Sequence, residues 1–228
     1  MRVEIRPDPE QAGACAAGII AAELRAAIAA RGKATLALSG GSTPRSMLQH
    51  LVREELPWSS VHVLQVDERV VTADDAQRNL GQLLTAFAGR AEPRPQIHAM
   101  PVELTDTAAA VRAYAQTLRT VASVPPVIDV VHLGLGEDGH TASLVAGDEA
   151  LRSDADVVMA GPYRGTRRMT LTLGALNRAR RRVWLVTGSE KRRVLAALLS
   201  GAPTLVAGKI QPEGSIVVTD RSAAGDRE

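Results

Sequence analysis

One segment of the chain places an acid and a histidine in a glycine-rich stretch directly after an apolar run. The apolar run covers residues 127–135, and Asp138 and His140 follow it within LGLGEDGHTASLV. A histidine exchanges protons near neutral pH, and a neighbouring carboxylate can either orient its ring or bind a substrate hydroxyl. The segment therefore predicts acid–base catalysis by His140, with both roles open for Asp138.

The same segment matches the glycine pattern of a dinucleotide-binding loop through Gly134, Gly136 and Gly139. We do not predict a dinucleotide site, because Glu137 and Asp138 would bring negative charge against a pyrophosphate. The five histidines of the chain show no HxxxH or HxH pairing, which argues against catalytic zinc. We therefore expect no cofactor and no metal.

A second segment, LALSGGSTPRSML, places two glycines and two hydroxyl residues between a predicted strand and a predicted helix. Gly40 and Gly41 let the backbone approach a ligand, and a helix N-terminus favours an anion. Ser42 and Thr43 offer hydroxyl groups, and Arg45 adds a positive charge. The segment lacks the GxxxxGK[ST] pattern, so it predicts a site for a single phosphate monoester. The alternative is that Ser42 or Thr43 only caps the helix.

Two further clusters follow predicted strands. In QVDERVV, the charged residues Asp67, Glu68 and Arg69 follow a strand, and Arg78 and Asn79 shortly after them add donors suited to hydroxyls or an oxyanion. In VTGSEKRRVL, Lys191 lies in the first turn of a helix, where its charge opposes the helix dipole unless an anion offsets it. Both clusters are candidate substrate contacts, and the alternative for both is an ordinary exposed surface.

The predicted elements that must position these side chains alternate between strands and helices. This alternation predicts an α/β fold with a mostly parallel sheet covered by helices on both faces. Consecutive late strands predict an added hairpin or small subdomain. We treat residues 1–228 as a single catalytic domain. Strands are predicted at residues 34–39, 61–67, 127–135, 156–160, 168–173, 181–188 and 215–220, and helices at residues 9–31, 44–51, 80–87, 106–121 and 190–199.

Composition and charge exclude several classes of partner. The 228 residues carry a net charge of only +2 and 2% aromatic residues, which argues against nucleic-acid binding. The longest apolar stretches are strand-sized, so we expect no membrane span. The first residues, MRVEIRPDPE, lack the pattern of a secretory signal, and we expect a cytoplasmic protein that is a monomer or a weak homo-oligomer.

Five segments, taken in order, resemble the 6-phosphogluconolactonase family. They are LALSGGSTPRSML, QVDERVV with Arg78 and Asn79 after it, LGLGEDGHTASLV, RMTLTLGALNRA and VTGSEK, and they span nearly the whole chain. The resemblance implies a Rossmann-like three-layer fold shared with glucosamine-6-phosphate deaminases. It also implies hydrolysis of a sugar-phosphate lactone, 6-phosphogluconolactone, to 6-phosphogluconate in the oxidative pentose phosphate pathway, without metal or cofactor.

The resemblance also implies roles for individual residues. His140 resembles the general base of the family, and Arg69 resembles a residue that faces the lactone end. The family's substrate or phosphate contacts correspond to Gly41, Ser42, Thr43, Arg45 and Lys191.

One position separates this chain from the deaminase relatives. They carry a glutamate five residues after the histidine, and here that position is Val145. Two alternative functions are a glucosamine-6-phosphate deaminase or isomerase and a non-catalytic sugar-phosphate-binding protein.

Overall fold

The computed structural model describes residues 1–41, 43–89 and 93–225, so Ser42, one of the predicted phosphate contacts, lies outside the described residues. The α-helices in the described ranges are α1 (Pro9–Arg31), α2 (Pro44–Leu51), α3 (Asn79–Ala88), α4 (Thr107–Val121), α5 (Leu173–Arg178), α6 (Arg192–Leu199) and α7 (Arg221–Ala224). The strands are β1 (Arg2–Arg6), β2 (Ala34–Leu38), β3 (Val61–Gln65), β4 (Asp67–Arg69), β5 (Gln96–His98), β6 (Val130–Leu133), β7 (Val157–Tyr163), β8 (Thr166–Leu171), β9 (Arg181–Val186) and β10 (Ser215–Asp220).

Two sheets organise the chain. The larger has the order β1-β10-β9-β6-β2-β3-β5, and its neighbouring strands are parallel. The smaller is antiparallel and has the order β4-β8-β7. The predicted α/β class with a mostly parallel sheet is confirmed, and the late strands expected as an added hairpin are β7 and β8.

Side chains of the large sheet alternate between two apolar cores, one on each face. The sheet is therefore the middle of three layers, with helices above and below it. Leu36 and Leu38 of β2 pack with residues of α1, α2 and α3. Ala37, between them, joins the opposite core with residues of α4, α5, α6 and α7. This alternation follows from the two-residue period of a strand, and both faces are apolar because helices cover both.

Helix α1 begins and ends where the sequence predicts. The Asp8 side chain accepts a hydrogen bond from the Gln11 backbone N–H, Pro9 occupies the first turn, and Gly32 ends the helix at φ 74°. By length and composition this helix is apolar enough to cross a membrane, with a mean hydropathy of 1.5 over 18 residues. The expectation of only strand-sized apolar stretches is therefore wrong. The many alanines of successive helical turns give α1 a high mean hydropathy, although it has no long run of large apolar side chains. One face of α1 is buried against the sheet, as in a core helix.

The carboxyl ends of the parallel strands meet at one edge of the sheet, and the predicted site residues follow several of them. β6 lies between β2 and β9, where the strand order changes direction. Such a switch point opens a crevice between the loops that leave neighbouring strands. The loops after β2, β3, β6 and β9 therefore converge there.

The structure departs from the predicted elements at several places. The strand predicted at residues 61–67 is divided after Gln65, and β4 leaves the large sheet to pair antiparallel with β8. The segment predicted to extend β8 to residue 173 instead begins α5 at Leu173, capped by Thr172. The short strands β1 and β5 and the helices α5 and α7 were not predicted, because their apolar patterns cover only a few residues.

His132 on β6 is a buried histidine whose protonation opposes folding. Its ring is fully buried, and neither nitrogen has a hydrogen-bond partner in the described part of the chain. Burial lowers the pKa of His132 to about 4. Between pH 4 and the ordinary value near 6.5, the unfolded chain therefore binds a proton that the folded chain does not.

We expect the free energy of unfolding to fall as the pH drops from 7 to 4, with His132 contributing about 3 kcal/mol of the loss. Urea unfolding of the native chain and of His132→Met at pH 7 and pH 4.5 measures that contribution. The variant should lose less stability on acidification, whereas His50→Gln, at a half-buried surface histidine, should behave like the native chain. Equal losses in the native chain and His132→Met would contradict the assignment.

Candidate active site

A cavity of about 370 Å³ lies at the carboxyl edge of the large sheet. Its walls come from the loops after β2, β6 and β9, from β4, and from the hairpin between β7 and β8. The predicted site residues that line it are Gly40, Gly41, Thr43, Asp67, Arg69, Asn79, His140 and Lys191. The structure thus brings together residues from segments far apart in the sequence.

His140 and Asp138 form a hydrogen-bonded pair at this cavity. The His140 Nδ1 atom lies 2.5 Å from Asp138 Oδ1, and the His140 backbone N–H donates to the same oxygen at 3.2 Å. Burial raises the pKa of Asp138, but these hydrogen bonds outweigh it, so the net shift is downward. An ionised Asp138 holds the proton of the neutral imidazole on Nδ1 and leaves Nε2 as the proton acceptor.

Gly136 makes room for this pair. A Cβ atom at this position would lie 2.0 Å from His140 Nδ1 and 2.6 Å from Asp138 Oδ1. Both distances are far below van der Waals contact, so any side chain here would displace the histidine or the acid. The second glycine of the GxGxxG pattern therefore serves the His140–Asp138 pair.

The hairpin between β7 and β8 supplies residues that the sequence analysis did not assign to the site. The Tyr163 hydroxyl donates to Asp138 Oδ2 at 3.1 Å, and its ring centre lies 5.0 Å from that of His140. The Arg168 guanidinium lies over the Tyr163 ring at 5.2 Å, and Arg164 and Arg168 both line the cavity. Arg168 opens the RMTLTL segment, which belongs to the family resemblance but from which no site residue was predicted.

Strand β4 carries charged side chains to alternate sides. Asp67 and Arg69 line the cavity, while Glu68 is fully buried and accepts hydrogen bonds from the backbone N–H groups of Asn79 and Leu80. Glu68 therefore caps the N-terminus of α3. The Arg78 Nε atom lies 3.2 Å from Glu68 Oε2, so Arg78 supports this interior network.

Asp67 and Arg69 differ in how they are held. Burial raises the pKa of Asp67, although the Ser143 hydroxyl, which donates at 2.6 Å, and Arg69 favour its charged form. Arg69 Nη1 donates to the Gln77 carbonyl at 2.5 Å, and its buried Nε has no partner in residues 1–41, 43–89 and 93–225. Arg168 Nε is likewise buried without a partner among the described residues. Both arginines also line the cavity, where their charged guanidinium groups suit an oxygen atom of a ligand.

The glycine segment after β2 lies close to α3. A Cβ atom on Gly40 would lie 1.9 Å from Asn79 Oδ1, and Gly41 has a φ of 121°, which favours glycine. The Asn79 side-chain amide donates to the Asp67 carbonyl, which fixes its orientation. Pro44 begins α2 beside the cavity, and Thr43 makes no capping hydrogen bond through its side chain.

Lys191 enters the cavity from the loop after β9. Its side chain is only 18% exposed, and Nζ lies 3.9 Å from Glu137 Oε1. This separation is too long for a hydrogen bond, so the ammonium group retains donors for an anion in the cavity.

Two residues discussed in the sequence, Arg45 and Val145, do not line the cavity. Arg45 is exposed on α2 and lines a neighbouring groove beside α3, outside the cavity. Val145 lines a separate shallow depression beside β7. Within the described ranges, no three histidine, cysteine, aspartate or glutamate side chains are grouped so that they could hold a metal ion.

Nearly the whole chain matches one known protein family. The family described as glucosamine-6-phosphate isomerases/6-phosphogluconolactonase matches residues 7–217. The chain belongs to this family. This is the family that the five sequence segments resemble. Each of those segments contributes residues to the cavity wall.

Named relatives and solved structures agree with the family assignment. A 6-phosphogluconolactonase of Nostoc sp. is 36% identical over 231 residues, which cover 98% of this chain and 96% of the relative. The crystal structure of a 6-phosphogluconolactonase from Shewanella baltica has a TM-score of 0.86 at 28% identity and covers 96% of this chain and 97% of its own.

The fold is also found in a deaminase. A monomeric glucosamine-6-phosphate deaminase has a TM-score of 0.84, with complete coverage of both chains, at 21% identity. At this identity the likeness concerns the fold alone. The implied Rossmann-like fold shared with deaminases is thus confirmed.

Proposed function

We propose that this protein hydrolyses 6-phospho-D-glucono-1,5-lactone to 6-phosphogluconate, the reaction of the oxidative pentose phosphate pathway implied by the sequence. One observation carries the proposal: the His140–Asp138 pair and the glycine segment with Lys191 line or adjoin one cavity. The cavity thus offers a proton acceptor and an anion site together. The named relatives are lactonases that match nearly the full chain.

His140 activates the attacking water. Its Nε2 atom accepts a proton as the water oxygen bonds to the lactone carbonyl carbon, and Asp138 stabilises the imidazolium that forms. The bond from this carbon to the ring oxygen then breaks, and the ring oxygen takes a proton from His140. The products are a carboxylic acid, which ionises, and a free hydroxyl, so the step balances with water alone.

Arg69 stabilises the negative charge that develops on the carbonyl oxygen. Arg69 lines the cavity, and its permanently charged guanidinium carries several hydrogen-bond donors. A preorganised donor at an oxyanion lowers the activation barrier by about 3 kcal/mol. Asp67 and Asn79 then bind sugar hydroxyls, since a carboxylate accepts and an amide both donates and accepts.

The phosphate group lies at the glycine segment and Lys191. The backbone of Gly40, Gly41 and Thr43 precedes the positive end of α2, and Lys191 supplies a full charge. Ser42 is assigned to this phosphate site on the sequence alone. Arg45, a phosphate contact by the family resemblance, lines a neighbouring groove outside the cavity, so this proposal gives it no direct contact with the phosphate.

Loss of Lys191 should reduce selectivity for the phosphate group. We expect Lys191→Met to lower kcat/KM for 6-phosphogluconolactone about 10- to 100-fold and to leave gluconolactone turnover nearly unchanged, since only the former carries the anion. Lactone disappearance, corrected for spontaneous hydrolysis, measures both. Lys33→Met is the matched control, because Lys33 precedes β2 at the opposite edge of the sheet. Equal losses on both lactones would contradict the phosphate role.

The deaminase alternative is not favoured. The relatives that match at 33–38% identity are named lactonases, and Val145 offers no carboxylate. Ammonia release from glucosamine 6-phosphate tests this alternative directly. In the proposed role the chain acts in the cytoplasm, as a monomer or weak homo-oligomer, and residues 1–228 form one catalytic domain.

A further inference from the structure

Tyr163 occupies a distinctive place beside the candidate catalytic pair. It comes from the small antiparallel sheet, whereas Asp138 and His140 follow β6 of the large sheet. Its hydroxyl reaches Asp138 Oδ2, the oxygen that His140 does not use. Each Asp138 oxygen therefore has its own side-chain donor.

The position of the Tyr163 ring is itself determined by several contacts. Tyr163 pairs with Thr166 across a two-residue turn, and Arg164 and Gly165 both have positive φ values, 52° and 82°. Two-residue turns of this kind match the twist of a hairpin. Arg168, only 7% exposed, lies over the ring and donates to the Tyr163 carbonyl at 3.4 Å.

We propose that Tyr163 is a positioning residue, which fixes the Asp138 carboxylate and through it the ring plane and tautomer of His140. The role rests on the proposed lactonase function, but its physical basis is independent of the substrate. The ring and the backbone N–H of His140 both bind Oδ1, and a carboxylate held at one oxygen only can still rotate about its terminal bond. A donor on the other oxygen restricts that rotation, and Nε2 of His140 stays directed at the attacking water.

The Tyr163→Phe variant tests this role, because it removes the hydroxyl and keeps the ring against His140 and Arg168. We expect kcat on 6-phosphogluconolactone to fall about tenfold with KM nearly unchanged. Thermal unfolding should show that the variant is folded. An unchanged kcat, or a raised KM with the native kcat, would overturn the positioning role.

A double-mutant cycle with Asp138→Asn separates action through Asp138 from a general effect of the hydroxyl. If Tyr163 acts through Asp138, removing its hydroxyl in the Asp138→Asn background should change kcat by less than twofold. A full tenfold loss in both backgrounds would overturn the proposal.

A spectroscopic measurement keeps the test independent of the lactonase assay. The proton on His140 Nδ1 should give a low-field NMR resonance, assigned by its loss in His140→Ala. In Tyr163→Phe this resonance should shift, whereas an unchanged resonance would overturn the proposal. A native chain that does not turn over the lactone would refute the proposed function alone, and the resonance would still decide the role of Tyr163.

Discussion

Replacing His140 with alanine should lower kcat for 6-phosphogluconolactone by a factor of about 10² to 10⁴. The variant loses the only imidazole that lines the described cavity wall, and its hydrogen bond with Asp138. Fresh lactone and subtraction of spontaneous hydrolysis are essential, because the substrate opens slowly without an enzyme. KM should change little, since the ring contributes mainly to the chemical step.

A matched control separates this loss from a general effect of removing a histidine. His50 lies on α2, bonded to Glu10, and is not part of the cavity wall. His50→Ala should retain native turnover. Near-native turnover in a folded His140→Ala protein would refute the assignment of His140 as general base.

Gly136→Ala should lower kcat about 100-fold or more while the protein stays folded. The added methyl group would overlap His140 Nδ1 and Asp138 Oδ1, so the pair must move, and displacement of a reacting group by about 1 Å costs about 100-fold in rate. Steady-state kinetics and thermal unfolding on the same preparation measure both effects.

Gly134→Ala is the control for this substitution. Gly134 belongs to the same loop and also lines the cavity, but a Cβ atom there would have no neighbour within 4 Å. Its turnover should stay within a few-fold of the native value. If the two alanine variants behave alike, the close approach at Gly136 does not govern the geometry of the pair.

Long elements with strong local signals were predictable from the sequence. Asp8 and Gly32 mark the ends of α1, and the alternation of strands and helices indicated the parallel sheet. The short strands β1 and β5 were missed because three to five residues carry little periodic signal. The division after Gln65 was missed because the apolar run continues through Val66, while only pairing with β8 shows that a second sheet begins.

The site was predictable where a residue follows a strand of the large sheet. Parallel strands deliver such residues to one edge, which is why Thr43, His140 and Lys191 line a common cavity. Tyr163 and Arg168 could not be placed this way, since their hairpin belongs to the other sheet. Arg45 was grouped with the glycine segment by sequence distance, but one step along a helix turns a side chain by about 100°, and here it faces outward.

The alternation along β4 limits how this site can change during evolution. Asp67 and Arg69 face the cavity while Glu68 holds the start of α3, so the cavity wall and the start of a helix depend on three consecutive residues. An inserted or deleted residue would exchange the two faces, placing Glu68 in the cavity and sending both neighbours into the interior. A change of length within β4 would therefore disturb the cavity wall and the start of α3 together, whereas substitutions at Asp67 or Arg69 can alter the cavity and leave Glu68 in place.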